Sequence, residues 1–125
     1  MEVANAGMRC AVQYEYAHGR RPQQMPHNHP GYDIESRRDD QTPIERFIEV
    51  KAVSREWTGY GVSLTDTQFD KGRGLGDRYW LYVVENAASD TPKLFAFQDP
   101  ANKPSEFRFD DGWRQFADES NTQQQ

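Results

Sequence analysis

One cysteine, Cys10, is all that the 125 residues contain, so no disulfide can form within the chain and no thiolate cluster can hold a metal. A buried helix thiol is its expected state. The chain also lacks the ~18-residue apolar run of a membrane span. Met1-Glu2-Val3-Ala4-Asn5 has neither the basic start nor the apolar core of a signal peptide. A cytoplasmic protein with no membrane contact is expected. A basic excess is missing as well: 20 acidic against 15 basic residues leave a net charge of −5, whereas free-standing nucleic-acid binders usually carry a surface that neutralises phosphates. Affinity for bare DNA is therefore expected to be weak. Nor is there a phosphate loop of the order GxxxxGK[ST]; Gly72-Arg73-Gly74-Leu75-Gly76 follows a helix and reads as a flexible turn.

What the chain does contain suffices for one core. Its 35% apolar content includes Trp57, Trp80 and Trp113 with six tyrosines and seven phenylalanines, enough for a single sheet with helices packed on it. Val3, Met8, Ala11, Val12 and Tyr16 recur at helical spacing, and Gly19 suits the position just past a helix. Arg21 to Pro30, with three prolines, is expected to be a loop. Within it His27-Asn28-His29 lacks the context of an HNH nuclease or a zinc site, so no metal is expected there, although an imidazole near a site can donate to a phosphate oxygen. Tyr60 to Leu64 reads as a third antiparallel strand after a turn at Trp57-Thr58-Gly59. Thr65 reads as the cap of a helix that Gly72, Gly74 and Gly76 end, and Tyr79 to Glu85 as a strand buried on both faces. Leu94 to Phe97 reads as a further strand, Asp99 to Asn102 as a turn, and Asp110 to Phe116 as a short helix or closing turn. The expected organisation is one α/β domain over residues 1–118, a mixed central sheet flanked by helices, with residues 119–125 a disordered tail.

The chemistry gathers around a hairpin. Gly31-Tyr32-Asp33-Ile34-Glu35-Ser36 alternates apolar with polar, and Ile44, Ile48, Val50 and Ala52 fall at even positions of a second segment, so both read as strands around a polar turn. Antiparallel pairing about Asp40 sets residue 33 roughly opposite residue 48, which brings Asp33 beside Glu49. Glu49 and Lys51 project from the same face, roughly 7 Å apart. Two adjacent carboxylates repel unless a proton or cation lies between them, and hard oxygen ligands favour magnesium or manganese. A neighbouring ammonium can orient a water or neutralise charge developing on phosphorus, the role read for Lys51. The same residue types also form ordinary cross-strand charge ladders, and spacing does not separate the two readings.

Gly31-Tyr32-Asp33-Ile34-Glu35-Ser36, Arg46-Phe47-Ile48-Glu49-Val50-Lys51-Ala52 and Tyr79-Trp80-Leu81-Tyr82-Val83-Val84-Glu85 resemble the C-terminal domain family of the plant protein NO VEIN, which is similar to the PD-(D/E)xK nuclease superfamily. The likeness runs from about Val3 to Phe116. It implies a restriction-endonuclease-like fold, with Asp33 and Glu49 as metal ligands for Mg2+ or Mn2+ and Lys51 as the catalytic lysine. One departure is that Tyr32, not a proline, precedes Asp33, with Pro30 three positions before the acid. The resemblance also implies that Gln68 faces the site, where an amide can accept from water and donate to phosphate; the other reading is a solvated helical glutamine. Glu15 either supports the metal from the first helix or is a solvated glutamate. Such domains are often fused to helicases, ATPases or restriction and antiphage modules, which implies a metal-dependent endonuclease acting on DNA, with a helicase, an ATPase, another defence component or a second copy as partner. The alternative is a catalytically silent module of the same fold that docks such a partner or nucleic acid.

Overall fold

The near-continuous apolar run Tyr79–Glu85 is β5, buried along its whole length in a computed structural model that describes residues 2–57, 62–103, 108–109, 114 and 116–122. A strand that is apolar on both sides needs cover on both. Helix α1 (Glu2–Ala17) covers one face and α2 (Asp66–Leu75) lies on the other. Strand β3 (Arg46–Ala52) runs parallel to β5; β1 (Arg21–Gln24) and β2 (Ile34–Arg37) continue antiparallel beyond it. On the other side come β6 (Lys93–Gln98) and β8 (Glu119–Thr122), both antiparallel, giving the order β1-β2-β3-β5-β6-β8. A separate two-stranded sheet pairs β4 (Val62–Ser63) with β7 (Arg108–Phe109). The fold is mixed α/β, as the periodicities predict. Among the described residues no helix is long and apolar enough to cross a membrane.

Local signals account for several of these elements. Gly19 follows α1 with φ +78°, a left-handed conformation that favours glycine. Thr65 caps α2 through a capping box: its hydroxyl accepts from the Gln68 N–H at 3.2 Å while the Gln68 amide oxygen accepts from the Thr65 N–H at 2.9 Å. Cys10 is buried in α1, and burial pushes its thiol up to about 11.

Other expectations are corrected. Arg21–Gln24 is a strand, not part of a loop; it lies at the sheet edge, where Pro22 need not donate to a second neighbour. Val62–Ser63 is not the third strand of the main sheet, because β3 already has β2 on one side and β5 on the other. Helix α2 continues through Gly72 and Gly74 to a C-cap at Gly76. Tyr16 is 60% exposed; the buried face of α1 is Ala6, Cys10, Ala11 and Tyr14. Glu119–Thr122, expected in the tail, is a paired strand of the sheet. The expected turn at 58–59, the start of the strand at 60–61, most of the closing turn at 110–116 and the last residues of the tail, 123–125, lie outside the described residues.

Gly72 persists inside α2 because Tyr79 leaves no room for more. A Cβ at Gly72 would stand 2.9 Å from Tyr79 Cδ2 and 3.2 Å from Ala101 Cβ, whereas at Gly74 it would meet nothing within 4 Å. Alanine gains up to about 1 kcal/mol over glycine in a helix, and overpacking costs about 1–3 kcal/mol. Gly74→Ala is therefore expected to raise the urea midpoint and Gly72→Ala to lower it. Equal shifts in the two variants would contradict this packing.

Candidate active site

Side chains alternate along β3, so Ile48 and Val50 face α1 while Phe47, Glu49 and Lys51 face the α2 side. Asp33 sits one residue before β2. Its N–H donates to the Ile48 carbonyl at 2.8 Å, its own carbonyl accepts from the Met25 N–H at 2.8 Å, and its Oδ2 accepts from the Val50 N–H at 2.8 Å. The register pairs Ile34 with Ile48, within one residue of the expected hairpin, and Asp33 and Glu49 come together.

Glu49 is 4% exposed. Burial first, and then the charge of Asp33, push its carboxyl up to about 8, against the opposing pull of Lys51. Lys51 Nζ lies 3.3 Å from Glu49 Oε2 and donates to Gln68 Oε1 at 3.0 Å, while Gln68 Nε2 donates to Glu49 Oε2 at 2.9 Å. Gln68 thus joins the acid to the base with the same side chain that caps α2. Asp33, Glu49, Lys51 and Gln68 form one constellation.

Glu15 is not part of it. It is fully buried on the α1 side, where Arg20 Nε donates to it at 2.5 Å and the Tyr82 hydroxyl also donates to it. This corrects both expectations for Glu15, metal support and solvation. The pair belongs to a network. Arg46 donates to the Tyr82 hydroxyl at 2.9 Å and to both carboxylate oxygens of Glu119, at 3.2 and 2.9 Å, and its guanidinium lies 3.6 Å from the Trp80 ring centroid.

Tyr79 was legible only as a core residue, yet it builds the site's floor. It pairs with Phe47 in the β3–β5 register, on the face that carries Glu49, and its hydroxyl donates to the Gly31 carbonyl at 2.8 Å, fixing the chain that leads into Asp33. Burial, then the charges of Glu49 and Asp33, push its hydroxyl far above the ordinary tyrosine range. His29 packs at a tilt against Tyr32, with ring centroids 4.6 Å apart and ring planes at 55°, just ahead of Asp33.

The donor set suits magnesium or manganese. Magnesium is commonly held by one or two carboxylates and keeps several waters, and the repulsion that discourages ionisation of Glu49 is what a cation would relieve. Among the described residues no group of three or more His, Cys, Asp or Glu gathers as a metal cage.

The family described as Protein NO VEIN, C-terminal, matches residues 3–97. That span contains all four residues of the constellation and stops before β7 and β8. No curated protein and no solved structure matches the chain.

Proposed function

The chain belongs to the NO VEIN C-terminal family, and from that premise we propose that Asp33, Glu49, Lys51 and Gln68 form a PD-(D/E)xK-type site that hydrolyses phosphodiester bonds in DNA with magnesium or manganese. The observation that carries this reading is the approach of Asp33 to a buried Glu49 with the Lys51 ammonium 3.3 Å from the same carboxylate. Asp33 and Glu49 would hold the cation. When bound, the metal supplies charge neutralisation and a water of lowered pKa. Lys51 would orient the attacking water or meet the charge growing on the phosphate, and Gln68 keeps the Lys51 amine and the Glu49 carboxylate in register. The net charge of −5 goes with weak binding to bare DNA and with a partner, such as a helicase or ATPase in a DNA-processing or defence system, or with a homodimer.

The acidic balance also favours a second reading, a silent module of the same fold that docks a partner. Cleavage of supercoiled plasmid and of labelled single-stranded, duplex and branched DNA, with magnesium or manganese, separates the two. Lys51→Ala is expected to lower cutting by about 10²-fold or more while the thermal unfolding curve stays cooperative. Undiminished cutting by Lys51→Ala would sink the enzymatic assignment. No cutting by the wild type, together with no magnesium-dependent thermal shift, would favour the silent module.

A further inference from the structure

We infer that Lys71 and Arg78 form a phosphate clamp on the lip of the site, gripping a DNA strand on either side of the bond held at Asp33 and Glu49. This rests on the nuclease reading and names how its substrate is held. Most arginines elsewhere in the fold are engaged by carboxylates: Arg20 by Glu15, Arg21 by Asp40, Arg38 by Glu45, Arg46 by Glu119 and Arg114 by Glu85. A guanidinium so engaged has less to offer a phosphate. Among the described residues Lys71 and Arg78 have no carboxylate within 4 Å, and both are exposed.

Their seats distinguish them from ordinary surface cations. Gly31 stands two residues before Asp33, and Phe47 two residues before Glu49. Gly31 is buried with φ +95°, and a Cβ there would lie 3.1–3.3 Å from the Lys71 stem. The Lys71 methylenes therefore lie across the backbone that leads into Asp33, which the Tyr79 hydroxyl pins from below. Arg78 rests its guanidinium 5.2 Å from the Phe47 ring centroid, and Phe47 packs edge-on against Tyr32 at 5.0 Å. Each cation thus packs against the residue two positions before one of the two acids, Lys71 on Gly31 and Arg78 on Phe47. Lys71 is also one helical turn beyond Gln68, on the same side of α2.

Salt-dependent binding tests the clamp, because each neutralised phosphate contributes about 0.9 to the slope of log K against log salt on duplex DNA. Fluorescence anisotropy of a labelled duplex without added metal is compared for wild type, Lys71→Met, which keeps the stem, Lys71→Arg, which keeps the charge, and Arg78→Gln. Arg9→Gln, on α1 across the sheet, is the control; thermal unfolding verifies each fold. Lys71→Met and Arg78→Gln are each expected to bind roughly tenfold more weakly, to lower the slope by about one, and to raise KM with little change in kcat when magnesium is present. Lys71→Arg should restore wild-type binding. Wild-type cutting with KM and slope unchanged in both variants overturns the clamp and leaves the nuclease reading standing. So does an equal loss in Arg9→Gln. Binding that depends on the two cations, with no cutting under any metal, supports the clamp and removes the enzyme. A wild type that binds no DNA at any salt overturns both.

Discussion

Arg46→Met is expected to cost about 3–5 kcal/mol of folding stability, toward the lower end of that range. The substitution keeps most of the apolar stem over Trp80 but removes the charge shared by Tyr82 and Glu119. Arg46 is 8% exposed in its side chain, so its charge is tolerable only because Glu119 answers it. Burial alone would raise the carboxyl of Glu119, but hydrogen bonds from Arg46 and Tyr14 outweigh burial and hold it below the usual range. Removing Arg46 strands that carboxylate, although its 35% exposure lets water recover part of the loss. Arg38→Met is the comparison: its partner Glu45 is equally accessible, but Arg38 itself is 54% exposed, and such pairs contribute about 0–1 kcal/mol. Urea unfolding of the two variants separates a buried network from surface charge. A loss in Arg46→Met no larger than in Arg38→Met would show that the network does not hold the sheet together. Because the Glu119 carboxyl is depressed on folding, its contribution is present above its unfolded pKa and is lost as pH falls through the lower folded value. The wild-type advantage over Arg46→Met should shrink in acid.

The sequence made the hairpin and its two acids legible because strand alternation is a local code. Once Ile48 and Val50 face inward, Glu49 and Lys51 must share the other face, and a polar turn fixes the register to within a residue. Thr65 announced its helix in the same way, through a cap whose partner lies three residues on. What stayed hidden depends on contacts distant in sequence. Glu15 looks like a solvated helical glutamate until Arg20, Tyr82 and, through Tyr82, Arg46 surround it. Glu119–Thr122 has no apolar residue to mark it, and joins the sheet through backbone pairing with β6 and the side chain of Glu119. Pro22 disguised an edge strand as a loop. Gln68 could be read, from the family resemblance, only as a residue facing the site; that its amide also closes the cap of α2 is seen only in the structure.

Glu49→Gln is expected to make the metal-free protein more stable while removing its response to magnesium. In the folded chain the Glu49 carboxyl is pushed up to about 8, by burial first and by Asp33 second, from its ordinary value of 4.5. Between those two values the folded state keeps a proton that the unfolded state has released, so stability falls as pH rises through the window and levels off above it. Glutamine carries no such charge, and its amide oxygen can still accept from Gln68 Nε2. The stability difference between Glu49→Gln and wild type should therefore be small near pH 5 and grow to the order of a few kcal/mol by pH 8, measured by urea unfolding in the presence of a chelator. Loss of the Lys51 ion pair at 3.3 Å works against this gain, but burial and Asp33 outweigh Lys51 at the Glu49 carboxyl, so it is the smaller effect. Magnesium, added afterwards, should raise the unfolding temperature of wild type more at pH 8 than at pH 6, since at the lower pH it must displace a proton, and should leave Glu49→Gln unmoved. A variant less stable than wild type at pH 8 without metal would mean that the cost of ionising Glu49, from burial and from Asp33, is not stored in the fold, and with it would go the physical reason for expecting a cation there.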